Sequence, residues 1–134
     1  MPLHPKQVAV NEVWLAIRAT RTPVLVDDVP NHVYVVQDAG SMFVFGNAFA
    51  PAGDESPSAG DAALVLTQAW QTKREWPKKL LIPGTNSKNN GFAAAAELNK
   101  VQVEFVPERE LSLYIDDLQT SYEAFIARDA VNDA

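Results

Sequence analysis

A single mixed sheet flanked by helices, an α+β (or α/β) domain, is the fold class that this sequence predicts. Lys79 to Val106 reads as strand, polar loop, short helix and strand, because the unalternated run Leu80 to Ile82 suits a strand with two apolar faces and the alanine-rich segment Phe92 to Leu98 suits a helix. Three short β-branched or aromatic runs precede that β-loop-α-β crossover, separated by turn-forming residues, and they predict an antiparallel three-strand meander. Apolar stripes at helical spacing flank both units. The expected order is α-β-β-β-α-β-α-β-α.

Val10, Val13, Trp14 and Ile17 fall at i, i+3, i+4 and i+7, predicting a helix over residues 5–19 with Pro5 in its first turn. The meander follows as Val24 to Val26, Val33 to Val36 and Met42 to Phe45. Residues 47–60 collect Pro51, Gly53, Asp54, Glu55, Ser56, Pro57, Ser58 and Gly60, the composition of a mobile acidic loop. Ala62, Leu66, Ala69 and Trp70 then mark a helix that Pro77 stops near Trp76. Beyond the crossover, Val101, Val103 and Phe105 alternate with polar residues, while Leu111, Leu113 and Ile115 read as an edge strand or an extended connector. Asp116 and Asp117 open a last helix with the inward stripe Leu118, Tyr122, Phe125 and Ile126, and residues 129–134 form a frayed tail.

A chain of 134 residues suits one domain spanning 1–134. The net charge of -6 disfavours a nucleic-acid partner, since tracking phosphates requires lysine and arginine to displace counterions. The absence of cysteine rules out a disulfide framework, a thiolate nucleophile and a cysteine zinc site. Two histidines, His4 and His32, are too few for a multi-histidine metal centre, and no Gly-x-Ser-x-Gly elbow is present. His32, after Pro30 and Asn31, reads as a surface residue opening a strand. The sequence therefore nominates no catalytic residue, no metal ligand and no cofactor. No run approaches bilayer length, so a soluble cytoplasmic protein without a membrane partner is expected.

Two functional expectations follow. The first is a non-catalytic protein-interaction module, such as a small acidic inhibitor, immunity or accessory protein, that meets a basic partner through Asp54, Glu55 and the aromatic anchor Trp76. The alternative is an enzyme or sensor that binds a small anion or nucleotide in the loop Pro83 to Gly91. Gly84, Thr85, Ser87, Lys88 and Asn90 would surround the ligand at a helix N-terminus, although neither phosphate-loop spacing nor the dinucleotide glycine pattern is present. Unassigned apolar surface on the last helix leaves room for a homodimer.

Overall fold

The computed structural model describes residues 2–85 and 89–132, with side chains through Phe125. Among these residues six strands form one mixed sheet: β1 (Val13–Arg18), β2 (Val24–Val26), β3 (Val29–Asp38), β4 (Val44–Pro51), β5 (Lys79–Pro83) and β6 (Gln102–Val106). Among the described residues three helices accompany it, α1 (Ala59–Lys73), α2 (Gly91–Leu98) and α3 (Ser112–Asn132). The class and the single mixed sheet are as the sequence predicts, and after the first element so is the order β-β-β-α-β-α-β-α.

The first element differs. Instead of a helix over residues 5–19, a 3-10 turn at Pro5–Gln7 leads into β1, the sheet's central strand. Val13 to Ile17 is an unbroken apolar run, so it satisfies helical spacing and strand burial alike. Burial of all five residues selects the strand, because one face of a surface helix would have left some of them in water. The Leu111 to Ile115 segment also departs from expectation: it is the 3-10 turn Glu108–Leu111 and the start of α3. Leu111, Tyr114 and Ile115, at i, i+3 and i+4, are buried there while Leu113 is exposed. Helix α3 continues to Asn132, so most of the tail expected to fray is helical, and residues 133–134 lie outside the described residues.

Strand β3 is ten residues long and organises the antiparallel half. One edge pairs with β1 through Tyr34 to Asp38 and with β2 through Val29 to Asn31; the other pairs with β4. Strand β1 also pairs in parallel with β5, and β5 in parallel with β6. Side chains alternate across these strands. Trp14, Ala16, Leu80 and Ile82 meet α1 and α2 on one face; Val13, Leu15, Ile17 and Leu81 meet α3 on the other.

Half of the segment expected to be loop belongs to regular elements. Asn47 to Pro51 belong to β4, and Ala59 opens α1 behind its N-cap Ser58, whose hydroxyl accepts from Asp61 N–H. Between them, Tyr34 Oη donates to the Glu55 carbonyl and Ser56 is buried, with its Oγ accepting from Gly91 N–H at 2.9 Å. A Cβ on Gly91 would overlap the Pro57 carbonyl, so only glycine lets this connection lie against the start of α2. Among the described residues no helix is long and apolar enough to cross a membrane.

Candidate functional site

The sheet changes direction between β1 and β5. From β1 the chain turns toward β2 and β3, whereas from β5 it crosses through α2 to β6 on the opposite side. Connections that diverge in this way leave a crevice outside the carboxyl ends of the two parallel strands, the usual ligand position in open α/β sheets. A crevice of about 230 Å³ lies there. Ala16 and Arg18 enter from β1, Ile82 to Gly84 from β5, Asn90 and Phe92 from the start of α2, and Ile115 and Gln119 from α3. Tyr34, Ser56 and Glu108 complete its wall.

The sequence-nominated anion site falls partly within this crevice. Gly84 and Asn90 line it, Thr85 is exposed outside the lining, and Ser87 and Lys88 lie outside the described residues. Gly84 has φ +119°, a backbone state that side-chain-bearing residues rarely adopt, and its N–H donates to the Val106 carbonyl. The start of α2 is internally satisfied: Asn90 Oδ1 accepts from Phe92 and Ala93 N–H, and Gly91 N–H is held by Ser56. Those amides are not free to bind an anion. Positive charge comes instead from Arg18, whose guanidinium has no hydrogen bond or ion pair with any described residue.

Arg18 was invisible to a helical reading of residues 5–19. Read as a strand, the same residues place Ala16 and Arg18 on one face at the carboxyl end of β1, and that alternation is the signal that would have found it. Glu108 stands in the same crevice, exposed, with no ion pair to Arg18. Gln119 is buried and donates through Nε2 to the Arg18 carbonyl, tying α3 to the strand end. Ser56 Oγ donates to the Pro57 carbonyl while accepting from Gly91, so its hydroxyl is committed to structure rather than poised as a nucleophile. Among the described residues no group of three or more histidine or carboxylate side chains could hold a metal ion.

The nominated partner-binding residues are dispersed. Asp54 and Glu55 are exposed in the turn after β4, whereas Trp76 is half-buried against Trp14 and Trp70, with ring centroids 5.9 and 6.4 Å apart. Trp76 thus closes the end of α1 over the sheet.

Contrary to the sequence expectation, His32 is buried in β3. Its Nδ1 shares a hydrogen bond of 2.8 Å with Thr20 Oγ1, which also accepts from Val33 N–H, and the ring tautomer sets which of the two donates. Burial lowers the His32 pKa from 6.5, and the Arg18 charge lowers it further. The folded state therefore binds this proton less readily than the unfolded chain. The resulting stability is present above about pH 6.5 and is lost as pH falls toward the depressed folded value. Urea midpoints measured from pH 7.5 to 5 are expected to fall, and the His32→Gln variant should flatten that slope. An identical slope in the variant would assign the acid sensitivity to other groups.

No family model matches the chain, and no curated protein matches it either. Among solved structures it is similar, at 14% identity and a TM-score of 0.46, to a chain in the simian T-cell lymphotropic virus intasome in complex with PP2A regulatory subunit B56 gamma; the match covers 80% of this chain and 36% of that one. The HTLV-2 integrase catalytic core domain in complex with magnesium gives the same identity and TM-score over 82% of this chain and 66% of that one. The chain therefore spans only part of the first of these, and likeness at this level carries no argument about activity.

Proposed function

We propose that this domain is a non-catalytic small-molecule receptor whose ligand occupies the crevice at the carboxyl ends of β1 and β5. The observation that carries this reading is the pairing, across one crevice, of an Arg18 guanidinium and a Glu108 carboxylate that do not bond to each other or to any other described residue. Exposed opposite charges on the wall of a pocket of about 230 Å³, with no ion pair between them, suit a small zwitterion, with its carboxylate on Arg18 and its ammonium on Glu108. Apolar Ala16, Ile82, Phe92 and Ile115 line the space between. Ligand pockets commonly span roughly 300–1,000 Å³, so the size favours an amino-acid-sized molecule over the nucleotide that the sequence left open.

The test is thermal unfolding against a panel of amino acids, related amines, simple carboxylates and phosphate. A zwitterion at about 100 times its Kd should stabilise the fold by about 2.7 kcal/mol. Arg18→Gln and Glu108→Gln are each expected to weaken binding about tenfold or more, in line with the loss of one charge-assisted hydrogen bond worth roughly 1.5–3 kcal/mol. A phosphate response that persists in Glu108→Gln would replace the zwitterion with a simple anion. A flat panel over a sound unfolding transition would overturn the receptor reading.

A further inference from the structure

Among the described residues strand β4 pairs only with β3, so its other side is an open edge. Val33 directs its carbonyl toward the β1 side, where it accepts from Ala19 N–H. Its β4 neighbour in register is Phe49, so Val33 and Phe49 form a pair whose backbone groups point away from each other. Phe49, and Asn47 two residues before it, therefore aim their N–H and C=O groups outward. Toward the strand start the register shifts between Val36 and Gln37, and at its end the Pro51 carbonyl already accepts from Asp54 N–H. Those interruptions confine the unpaired edge to a short stretch around Ala48.

The same edge is apolar. Phe43 is 52% exposed, Val44 40%, Phe49 45% and, on the adjoining face of α1, Leu64 67%. A groove of about 550 Å³ runs between β4 and α1, lined by Asn47, Phe49, Asp61, Leu64 and Gln68 among others. Charge along this edge is polarised. Lys73 Nζ lies 6.0 Å from the Phe43 ring centroid at the strand start, whereas Asp61 shares the groove with Phe49 and Asp54 follows the strand end.

We infer that this edge binds a second copy of the chain through antiparallel β4–β4 pairing about a twofold axis at Ala48. In that register Asn47 of each copy faces Phe49 of the other, which gives four main-chain hydrogen bonds from the two outward residues. Antiparallel alignment also brings the basic start of one strand against the acidic end of its mate, twice, so the edge is complementary to itself. Parallel alignment would set like charge on like. Charge therefore selects a second copy in this orientation over an unrelated strand, for which the edge holds no comparable match.

Sedimentation equilibrium on the full chain tests this, with circular dichroism checking the fold of each variant. A concentration-dependent dimer is expected. Asn47→Pro removes an outward N–H without touching the β3–β4 ladder and should raise the dimer Kd at least tenfold. Lys73→Glu should also weaken the dimer, and adding Asp54→Lys should restore it by exchanging the two signs. The charge pair keeps the inference testable if the proline variant fails to fold. A monomer persisting to about 1 mM would overturn it. So would a dimer indifferent to Asn47→Pro and Lys73→Glu, or a charge exchange that fails to restore association.

Discussion

Trp14→Ala is expected to lower the unfolding free energy by about 3–5 kcal/mol, the range for deleting a large aromatic from a packed core. Trp14 is fully buried in the central strand, where its ring meets Phe45 at 5.0 Å and Trp76 at 5.9 Å between centroids. It therefore joins β4 and the exit from α1 to the middle of the sheet. Its Nε1 also donates to Asn11 Oδ1 at 2.7 Å, so truncation costs that acceptor its partner as well as opening a cavity. Since domains of this kind are stable by roughly 5–15 kcal/mol, such a loss removes a large share of the total. Urea unfolding followed by circular dichroism measures it. A cost below about 2 kcal/mol would mean that Phe45 and Trp76 collapse into the space, and that the aromatic cluster is not a rigid centre.

Trp14 also shows what was and was not legible in the sequence. Its burial was evident, because a tryptophan within an unbroken apolar run is rarely left in water. Its secondary structure was not, because Val13 to Ile17 fits a period of 3.6 as well as a two-faced strand, and only the neighbours of β1 decide between them. The crossover was easier to read: Leu80 to Ile82, Asn90 and the alanine run each prescribe a local geometry that agrees with the fold, and Asn90 caps α2 through its own side chain.

The crevice was half legible for the same reason. Gly84 and Asn90 were nominated from the loop alone, and both reach the site. Arg18 and Gln119 arrive from segments far apart in sequence, and the first depended on a strand read as a helix. The loop expected over 47–60 is shorter, between β4 and α1, because turn formers report backbone shape rather than where neighbouring elements end. Ser56 and Tyr34 fasten it by bonds to Gly91 and Glu55 that no local pattern reveals.

A second large loss is expected at Asp38, which no reading of the sequence singled out. Asp38 is fully buried at the end of β3, and its carboxylate accepts three hydrogen bonds: from Asn11 N–H and Ser41 N–H, each at 2.8 Å, and from Ser41 Oγ at 2.6 Å. It thereby fixes the β3–β4 turn and the entry to β1, where Asn11 adopts φ 65°. Asp38→Ala takes the acceptor from the Asn11 amide and from both Ser41 donors, of which those on exposed Ser41 can turn to water, and is expected to cost roughly 3 kcal/mol, the upper end for one buried group left without a partner. Asp38→Asn keeps the shape but turns an NH₂ toward one set of donors, so its cost should be smaller yet clear. Tyr114 supplies an independent readout. Its hydroxyl donates to the Ala39 carbonyl, and its pKa is pushed up to about 12, chiefly by burial and further by the Asp38 charge. The raised value contributes stability that is whole below pH 10 and is lost as pH rises through about 12. In Asp38→Asn the burial remains while the charge is gone, so ultraviolet titration should find this tyrosine ionising below its wild-type value. An unchanged titration would show that the Asp38 carboxylate does not act on Tyr114, and would leave burial as the sole cause.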